Sequence, residues 1–193
     1  MLVLVIAGGC LALTTWFLYR ELYHFTSETP VELSVREVKP GEYEGLEKKL
    51  DQFNQGPDAT SEITLTADDL NLFMAGNPDH SRFAKYTHVD IVQDAVVLEV
   101  SIPLDDVHQL AKRILPGRYF NGSVGVNVSL VGGQLVGFVS SATVKGEPVP
   151  DTLLAGLKGE NIFKRTRFSP KLQEFLSRAR SLEVRDGKVI IRA

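Results

Sequence analysis

The longest apolar run in this chain is residues 1–19, which carry no charged side chain before Arg20. At roughly 1.5 Å per residue, a helix of this length reaches about 28 Å, close to the hydrocarbon thickness of a bilayer. Trp16 and Tyr19 lie at its far end, where amphipathic rings favour the membrane–water interface. The run is apolar on every side, which predicts a transmembrane helix rather than a buried helix of a globular domain.

Two other interpretations of this run stay open. A cleaved signal peptide usually begins with a basic segment and has a shorter apolar core, and no Lys or Arg precedes this run. Small residues before Cys10 suggest a lipoprotein signal, although the apolar run continues past that cysteine. We therefore expect an uncleaved signal anchor. Cys10 is the only cysteine in the chain, which excludes an internal disulfide.

Helical spacing of apolar residues predicts helices at residues 42–53, 105–115, 151–157 and 169–179. Residues 31–38 alternate apolar and polar side chains, as an extended strand does. Ile63 and Leu65 fit a short strand, and Thr66 can cap a helix with Asp68 and Asp69 in its first turn. We expect this helix to bury one face, formed by Leu70, Phe73 and Met74. A catalytic role for the two aspartates is disfavoured, because capping already explains their position.

Strand spacing and turn residues predict three hairpins. The first, residues 84–104, turns near residues 93–94, pairs Ile91 with Val96 and Val89 with Leu98, and places His88, Asp90, Glu99 and Ser101 on the polar face. The second, residues 119–145, turns at two glycines, 132–133, and places Asn121, Ser123, Asn127 and Ser129 on its polar face, with Phe138 as an exception. Glycines within its strands indicate bulges or bending. The third hairpin spans residues 182–191.

Candidate chemistry is sparse. The four histidines, His24, His80, His88 and His108, show no metal-binding spacing, so no metal or cofactor is expected. A hydrolase would need acids such as Asp90 and Glu99 to converge in a pocket. The glycosylation sequons at Asn121 and Asn127 fall in predicted strands, and the basic cluster at residues 164–167 has the composition of a solvated loop. A net charge of −3 argues against nucleic-acid binding.

Two short segments carry a resemblance to a known group of proteins. A Leu-Thr-x-x-x-Leu-Asn helix start is matched by Leu65, Thr66, Leu70 and Asn71, and a Gly-x-Pro-x-Pro segment by Gly146, Pro148 and Pro150. Together with the anchor and the hairpins, these segments make the chain resemble the YpmS-like and related small single-pass bacterial membrane proteins. The resemblance covers most of residues 60–193. The soluble parts of these proteins are similar to tubular lipid-binding domains. The resemblance implies a curved sheet wrapped on a helix, an apolar groove, no known enzyme activity and an extracytoplasmic location.

The sequence therefore predicts an α+β protein with an N-terminal transmembrane helix, followed by a curved antiparallel sheet packed on a few helices. We expect an anchor and juxtamembrane helix at residues 1–25 and a single soluble domain at residues 26–193, which is long enough for a real core. The expected function is a membrane-anchored, non-enzymatic domain that binds a lipid or another apolar ligand at the membrane surface.

Two further hypotheses concern how the strand faces are used. The protein could instead be an interaction or scaffold subunit of a cell-envelope complex, with other envelope proteins as partners, acting through the polar strand face at residues 121–129 or through the anchor. The apolar strand faces could also simply form the core against the helices at residues 67–75 and 169–179. Ligand-binding residues are not identified by the sequence.

Overall fold

The computed structural model describes residues 19–56, 61–77, 84–107, 109–164, 166 and 168–193. The predicted membrane span therefore lies outside the described residues, apart from Tyr19. No helix in the described part of the chain is both long and apolar enough to cross a bilayer. The α+β fold class predicted from the sequence is confirmed.

Two compact units make up the chain. The first contains residues up to Val31 together with Ser101–Asn121, and the second contains Glu32–Val100 together with Gly122–Ala193. This grouping differs from a single division at residue 25, because the segment that follows the predicted anchor is combined with a part of the chain about 70 residues further on.

The described helices are α1 (Glu42–Gln55), α2 (Ala67–Gly76), α3 (Leu104–Val107), α4 (Gln109–Ile114), α5 (Asp151–Lys158) and α6 (Pro170–Arg178). Residues 19–24 are also helical. The strands are β1 (Glu62–Thr66), β2 (Thr87–Val92), β3 (Ala95–Pro103), β4 (Tyr119–Val131), β5 (Gln134–Val144), β6 (Glu147–Pro148), β7 (Ser181–Arg185) and β8 (Lys188–Arg192).

The strands form two sheets rather than the one that the sequence predicted. The larger has the order β2-β3-β4-β5-β6, and the smaller has the order β1-β8-β7. In the smaller sheet the C-terminal strand β8 lies between β7 and β1, with Glu62 paired to Arg192. This pairing joins residues that are far apart in the sequence, so no local pattern indicates it.

All three predicted hairpins are present, and the register predicted for the first is confirmed. Ile91 pairs with Val96 and Val89 with Leu98 in the first, and Val184 pairs with Val189 in the third. The second hairpin turns at Gly132 and Gly133, which both have positive φ angles as a type I′ turn requires.

A β-bulge between Gly125 and Val126 confirms the predicted irregularity of the second hairpin. A bulge bends its strand and increases the local twist. Gly122 lies in the same strand, and a Cβ atom at this position would collide with the carbonyl oxygen of Thr143. The glycines therefore allow close contact between backbones where the sheet curves.

The main core lies in the second unit, between the two sheets and helices α1, α2 and α6. Its buried members are Leu46, Leu50, Phe53, Ile63, Leu65, Leu72, Val89, Ile91, Val96, Phe175, Leu176, Ala179, Val189 and Ile191. The rings of Phe53 and Phe175 pack at a centroid distance of 4.8 Å. The apolar faces of the hairpins thus pack in the core, as one of the hypotheses from the sequence holds.

Two details differ from the sequence predictions, and one agrees with them. Residues 31–39 belong to no strand, and the side chains of Val31, Val35 and Val38 are exposed. The helix predicted at residues 105–115 agrees with the structure, which describes Leu104–Val107 and Gln109–Ile114 as helical. In α2 the fully buried residues are Asn71 and Leu72, while Leu70, Phe73 and Met74 are partly buried against the core.

Candidate functional site: a strap bound by Arg118 and an uncharged sheet face

The first unit holds the segment that follows the predicted anchor in a fixed position. We call residues 23–31 the strap. Ser27 exchanges both backbone hydrogen bonds with Tyr119, donating at 2.9 Å and accepting at 2.8 Å. The strap therefore lies beside the start of β4 as a short antiparallel neighbour, and this part of the chain is not a free linker.

Arg118, next to Tyr119 in the sequence, binds the strap with most of its guanidinium group. Nε donates to Oγ1 of Thr26 at 2.6 Å, and Nη2 donates to the carbonyl oxygens of Thr26 at 2.9 Å and Tyr23 at 3.2 Å. The guanidinium carbon lies 3.6 Å from the ring centroid of Tyr23, which is cation–π geometry. Arg118 thus satisfies carbonyl groups at the end of the helix that contains Tyr23.

An ion pair completes this cluster. Nη1 of Arg118 lies 3.3 Å from Oε1 of Glu28, and the hydroxyl of Tyr23 donates to the same oxygen at 3.3 Å. The side chain of Arg118 is 8% exposed and that of Glu28 is 78% exposed. Because Glu28 is well solvated, we attribute little stability to the ion pair itself. The contacts of the buried guanidinium with the backbone determine the arrangement.

Two residues predicted to lie on the polar, solvated strand faces are instead buried under the strap. Oγ of Ser101 donates to Oδ1 of Asn121 at 2.9 Å and accepts from the N–H of Val31 at 3.0 Å. Nδ2 of Asn121 donates to the carbonyl oxygen of Thr29 at 2.8 Å. The predicted exposure of Ser101 and Asn121 was wrong, because the strap supplies backbone partners that make their burial favourable.

Sequence reasoning did not identify Arg118. It follows a Pro-Gly turn and precedes a strand, and an arginine in that context usually has a solvated side chain. The partners of Arg118 are backbone carbonyls about 90 residues earlier in the chain, so the sequence gives no signal of its burial.

The second candidate site is the outer face of the β4–β5 hairpin near its turn. Its residues form the cross-strand pairs Asn127–Phe138, Ser129–Val136 and Val131–Gln134. We call these residues the uncharged face, because none of them is ionisable although 23% of the chain is charged. Phe138 is 38% exposed, and Asn127, Ser129, Val131 and Gln134 are exposed as well.

Side chains and turns close the edges of the larger sheet beside this face. At β5, the N–H of Gly137 donates to Oδ1 of Asn161, and its carbonyl oxygen accepts from the N–H of Ile162. At β2, the side-chain amide of Asn71 binds both backbone groups of Val89. Pairing with a further strand is blocked at these positions.

The carboxylates considered as catalytic candidates have structural partners or are exposed. Asp69 forms a capping box with Thr66, which confirms Thr66 as the cap of α2, and an ion pair with Lys49 at 3.1 Å. Asp68 forms an ion pair with Arg36 at 2.7 Å. Asp90 and Glu99 are exposed on adjacent strands, where their cross-strand partners are Val97 and His88. The structure does not bring these acids together in a pocket.

The capping box changes the acidity of Asp69. Partial burial alone would raise the pKa of this carboxyl group. Hydrogen bonds from the backbone N–H and hydroxyl of Thr66, together with the charge of Lys49, outweigh burial and hold the pKa below its usual value. This shift accompanies helix capping and gives no indication of catalysis.

The remaining sequence candidates are the histidines, the two sequons and the basic cluster at residues 164–167. His24 and His88 lie in different units, and His80 and His108 are outside the described residues. Among the described residues, no group of three or more His, Cys, Asp and Glu side chains could hold a metal ion. Asn121 of the first sequon is buried and Asn127 of the second is exposed. Lys164 is exposed, but two members of its basic cluster are outside the described part.

An open cavity of about 380 Å³ lies between α1 and β1 in the second unit. It is lined by Lys49, Gln52, Phe53, Ser61, Glu62, Ile63 and Thr64, of which Phe53 and Ile63 are the apolar residues. Lipid-binding cavities need an apolar lining along an acyl chain. This cavity therefore gives no support to lipid binding.

Comparison of the chain with protein-family models, curated protein sequences and solved structures finds no match. The resemblance to YpmS-like proteins thus remains a prediction from the sequence.

Proposed function

We propose that this protein is a membrane-anchored, non-enzymatic domain that binds another protein through the uncharged face, as an interaction subunit of a cell-envelope complex. The anchor is the apolar run at residues 1–19, and the domain lies on the extracytoplasmic side. The observation that carries the proposal is the cluster of exposed, uncharged residues around Phe138.

A solvated sheet face usually carries charged side chains, which keep a protein with a net charge of −3 apart from its neighbours. The cores of protein interfaces are depleted in charge and enriched in aromatic residues. The amides and hydroxyls of Asn127, Ser129 and Gln134 can both donate and accept hydrogen bonds. This combination suits contact with an uncharged protein surface.

Binding of a lipid within the curved sheet, which the resemblance to tubular lipid-binding domains implies, has less support. The apolar faces of the hairpins contribute Val89, Ile91 and Val96 to the core. A lipid would have to displace helices that already cover these side chains.

A photo-crosslinking amino acid placed at position 127 of the full-length protein in native membranes tests the proposal. The matched control carries the same group at Leu157, which is exposed on α5 and lies outside the uncharged face. We expect a discrete protein adduct from position 127, its loss with Phe138→Lys, and none from position 157. Equal labelling from both positions, or a lipid adduct alone at 127, would contradict protein binding.

A further inference from the structure

Two tyrosines lie one helical turn apart at the exit of the predicted anchor. Tyr19 is 45% exposed and Tyr23 is 42% exposed, and their ring centroids are 5.8 Å apart. Both belong to the helical residues 19–24 that directly follow the apolar, charge-free run. In a helix, residues at this spacing share one face. Tyr19 and Tyr23 thus form an exposed aromatic pair directly after the apolar run.

Tyr23 also belongs to the Arg118 cluster. One side of its ring packs against the guanidinium group, and its hydroxyl donates to Glu28. Arg118 binds the backbone oxygen of Tyr23 as well. Both the ring and the backbone of Tyr23 are therefore held by other residues of the first unit, although a large part of the side chain remains exposed.

We propose that Tyr19 and Tyr23 lie in the headgroup layer of a phospholipid bilayer, and that Arg118 fixes the first unit to this layer in one orientation. The inference rests on the proposed membrane anchoring. The partner is a lipid surface because the preceding residues are apolar enough to enter the hydrocarbon, and tyrosine rings favour the adjoining interface. Arg20 lies between the two tyrosines in sequence and adds a charge that anionic headgroups attract.

The strap determines how closely the contact of the two tyrosines with the bilayer holds the first unit to the membrane. A flexible linker of ten residues would have a root-mean-square length of about 17 Å and would let a domain move away from the membrane. Here the backbone of residues 23–31 is bound by Ser101, Arg118, Tyr119 and Asn121. The strap is consequently a rigid mount that keeps the first unit against the bilayer.

Depth-dependent fluorescence quenching tests the lipid contact. The full-length protein is placed in liposomes of phosphatidylcholine and phosphatidylglycerol that contain brominated lipids. Trp16 is the only tryptophan, so Trp16→Phe provides a background in which Tyr23→Trp reports on one position. We expect lipids that carry bromine near the headgroups to quench the tryptophan fluorescence of the Tyr23→Trp variant. The Tyr19→Trp variant should be quenched by the same lipids. A Tyr23→Trp signal without quenching would overturn the contact. Failure of the protein to float with liposomes would instead contradict membrane anchoring.

Hydrogen exchange of the Ser27 and Tyr119 amides tests the mount in the same liposomes. Arg118→Gln removes the guanidinium group, and Arg113→Gln is the control because Arg113 is exposed in the same unit. We expect roughly tenfold faster exchange at both amides in Arg118→Gln and no change in Arg113→Gln. Arg118→Gln should also reduce the quenching of the position-23 reporter.

A second variant keeps this test decisive if Arg118→Gln does not fold. Thr26→Val removes the hydroxyl that accepts at 2.6 Å from Nε of Arg118 while preserving the shape of the side chain. It should accelerate exchange at Ser27 by a smaller factor. The proposal that the strap is a rigid mount would be refuted if the variant that folds shows the same amide exchange rates as Arg113→Gln. A lower melting temperature of that variant would not rescue the proposal.

Discussion

The side-chain amide of Asn71 forms two hydrogen bonds with the backbone of Val89. Nδ2 donates to the carbonyl oxygen at 2.7 Å, and Oδ1 accepts from the N–H at 2.8 Å. Nδ2 also donates to the carbonyl oxygen of Ala67 at 2.9 Å. The amide thus replaces, at this position, the neighbouring strand that β2 lacks. Since both residues are buried, water cannot take over these contacts.

Replacing Asn71 with alanine should strongly destabilise the second unit. The change leaves two buried backbone groups of Val89 without partners, and we expect a loss of about 3 kcal/mol in the free energy of unfolding. Urea unfolding of the full-length protein in detergent, followed by circular dichroism, measures it. The control Asn127→Ala changes an exposed asparagine and should stay within about 0.5 kcal/mol of the wild type. Equal effects of the two changes would refute the role of Asn71.

Removing the N-cap of α2 should have a smaller effect. Thr66→Ala eliminates the hydroxyl that accepts from the N–H of Asp69 at 3.1 Å, and we expect a cost of about 1 kcal/mol. Thr64→Ala is a suitable control, because Thr64 is exposed on β1 and is not a cap. The same unfolding experiment measures both variants. A cost no larger than that of the control would contradict the capping role.

The capping box also predicts a pH dependence. Because the folded pKa of Asp69 is below its unfolded value, its ionised form stabilises the protein above the unfolded pKa, which is about 3.9. This contribution is lost as the pH falls through the lower folded pKa. The stability difference between the wild type and Asp69→Asn should therefore be larger at pH 6 than in acid below roughly pH 3. A difference that stays constant over this range would contradict the lowered pKa.

Two glycine substitutions should change stability in opposite directions. Gly122→Ala directs its Cβ at the carbonyl oxygen of Thr143, and backbone atoms cannot move away cheaply, so we expect a loss of about 1–3 kcal/mol. Gly156 lies in α5 with no atom near the position of a new Cβ. Gly156→Ala should therefore stabilise the protein, by up to about 1 kcal/mol, because alanine favours a helix. Thermal unfolding of both variants checks the signs. Stabilisation by Gly122→Ala would show that β4 and β5 are not close enough for the new Cβ to meet the carbonyl oxygen of Thr143.

Two phenylalanines should separate stability from binding. Phe175 is 2% exposed and packs on Phe53, so Phe175→Ala should cost about 3–5 kcal/mol. Phe138 belongs to the uncharged face and is 38% exposed, so Phe138→Ala should lower the free energy of unfolding by only about 1–2 kcal/mol. The second variant should nevertheless weaken crosslinking from position 127. Strong destabilisation by Phe138→Ala would assign this ring to folding rather than to binding.

Several features of this protein could be predicted from the sequence because their causes are local. Turn residues and strand alternation predict the three hairpins and, in the first, the pairing of Ile91 with Val96. Thr66 is predicted as the cap of α2, with Asp69 in the first turn, because both residues lie within one helical turn. The apolar run before Arg20 predicts the anchor, on which the proposed function depends.

The tertiary structure decided those features that depend on contacts between distant parts of the chain. The pairing of β1 with β8, the amide of Asn71 on Val89 and the guanidinium of Arg118 over Tyr23 each join residues from separate segments. Alternation assigns Ser101 and Asn121 to a polar face, but it cannot indicate that another segment covers that face. A polar side chain is buried only where the fold supplies a hydrogen-bond partner, and those partners exist only in the folded chain. For this physical reason the sequence predicts the anchor, while the structure reveals the strap behind it.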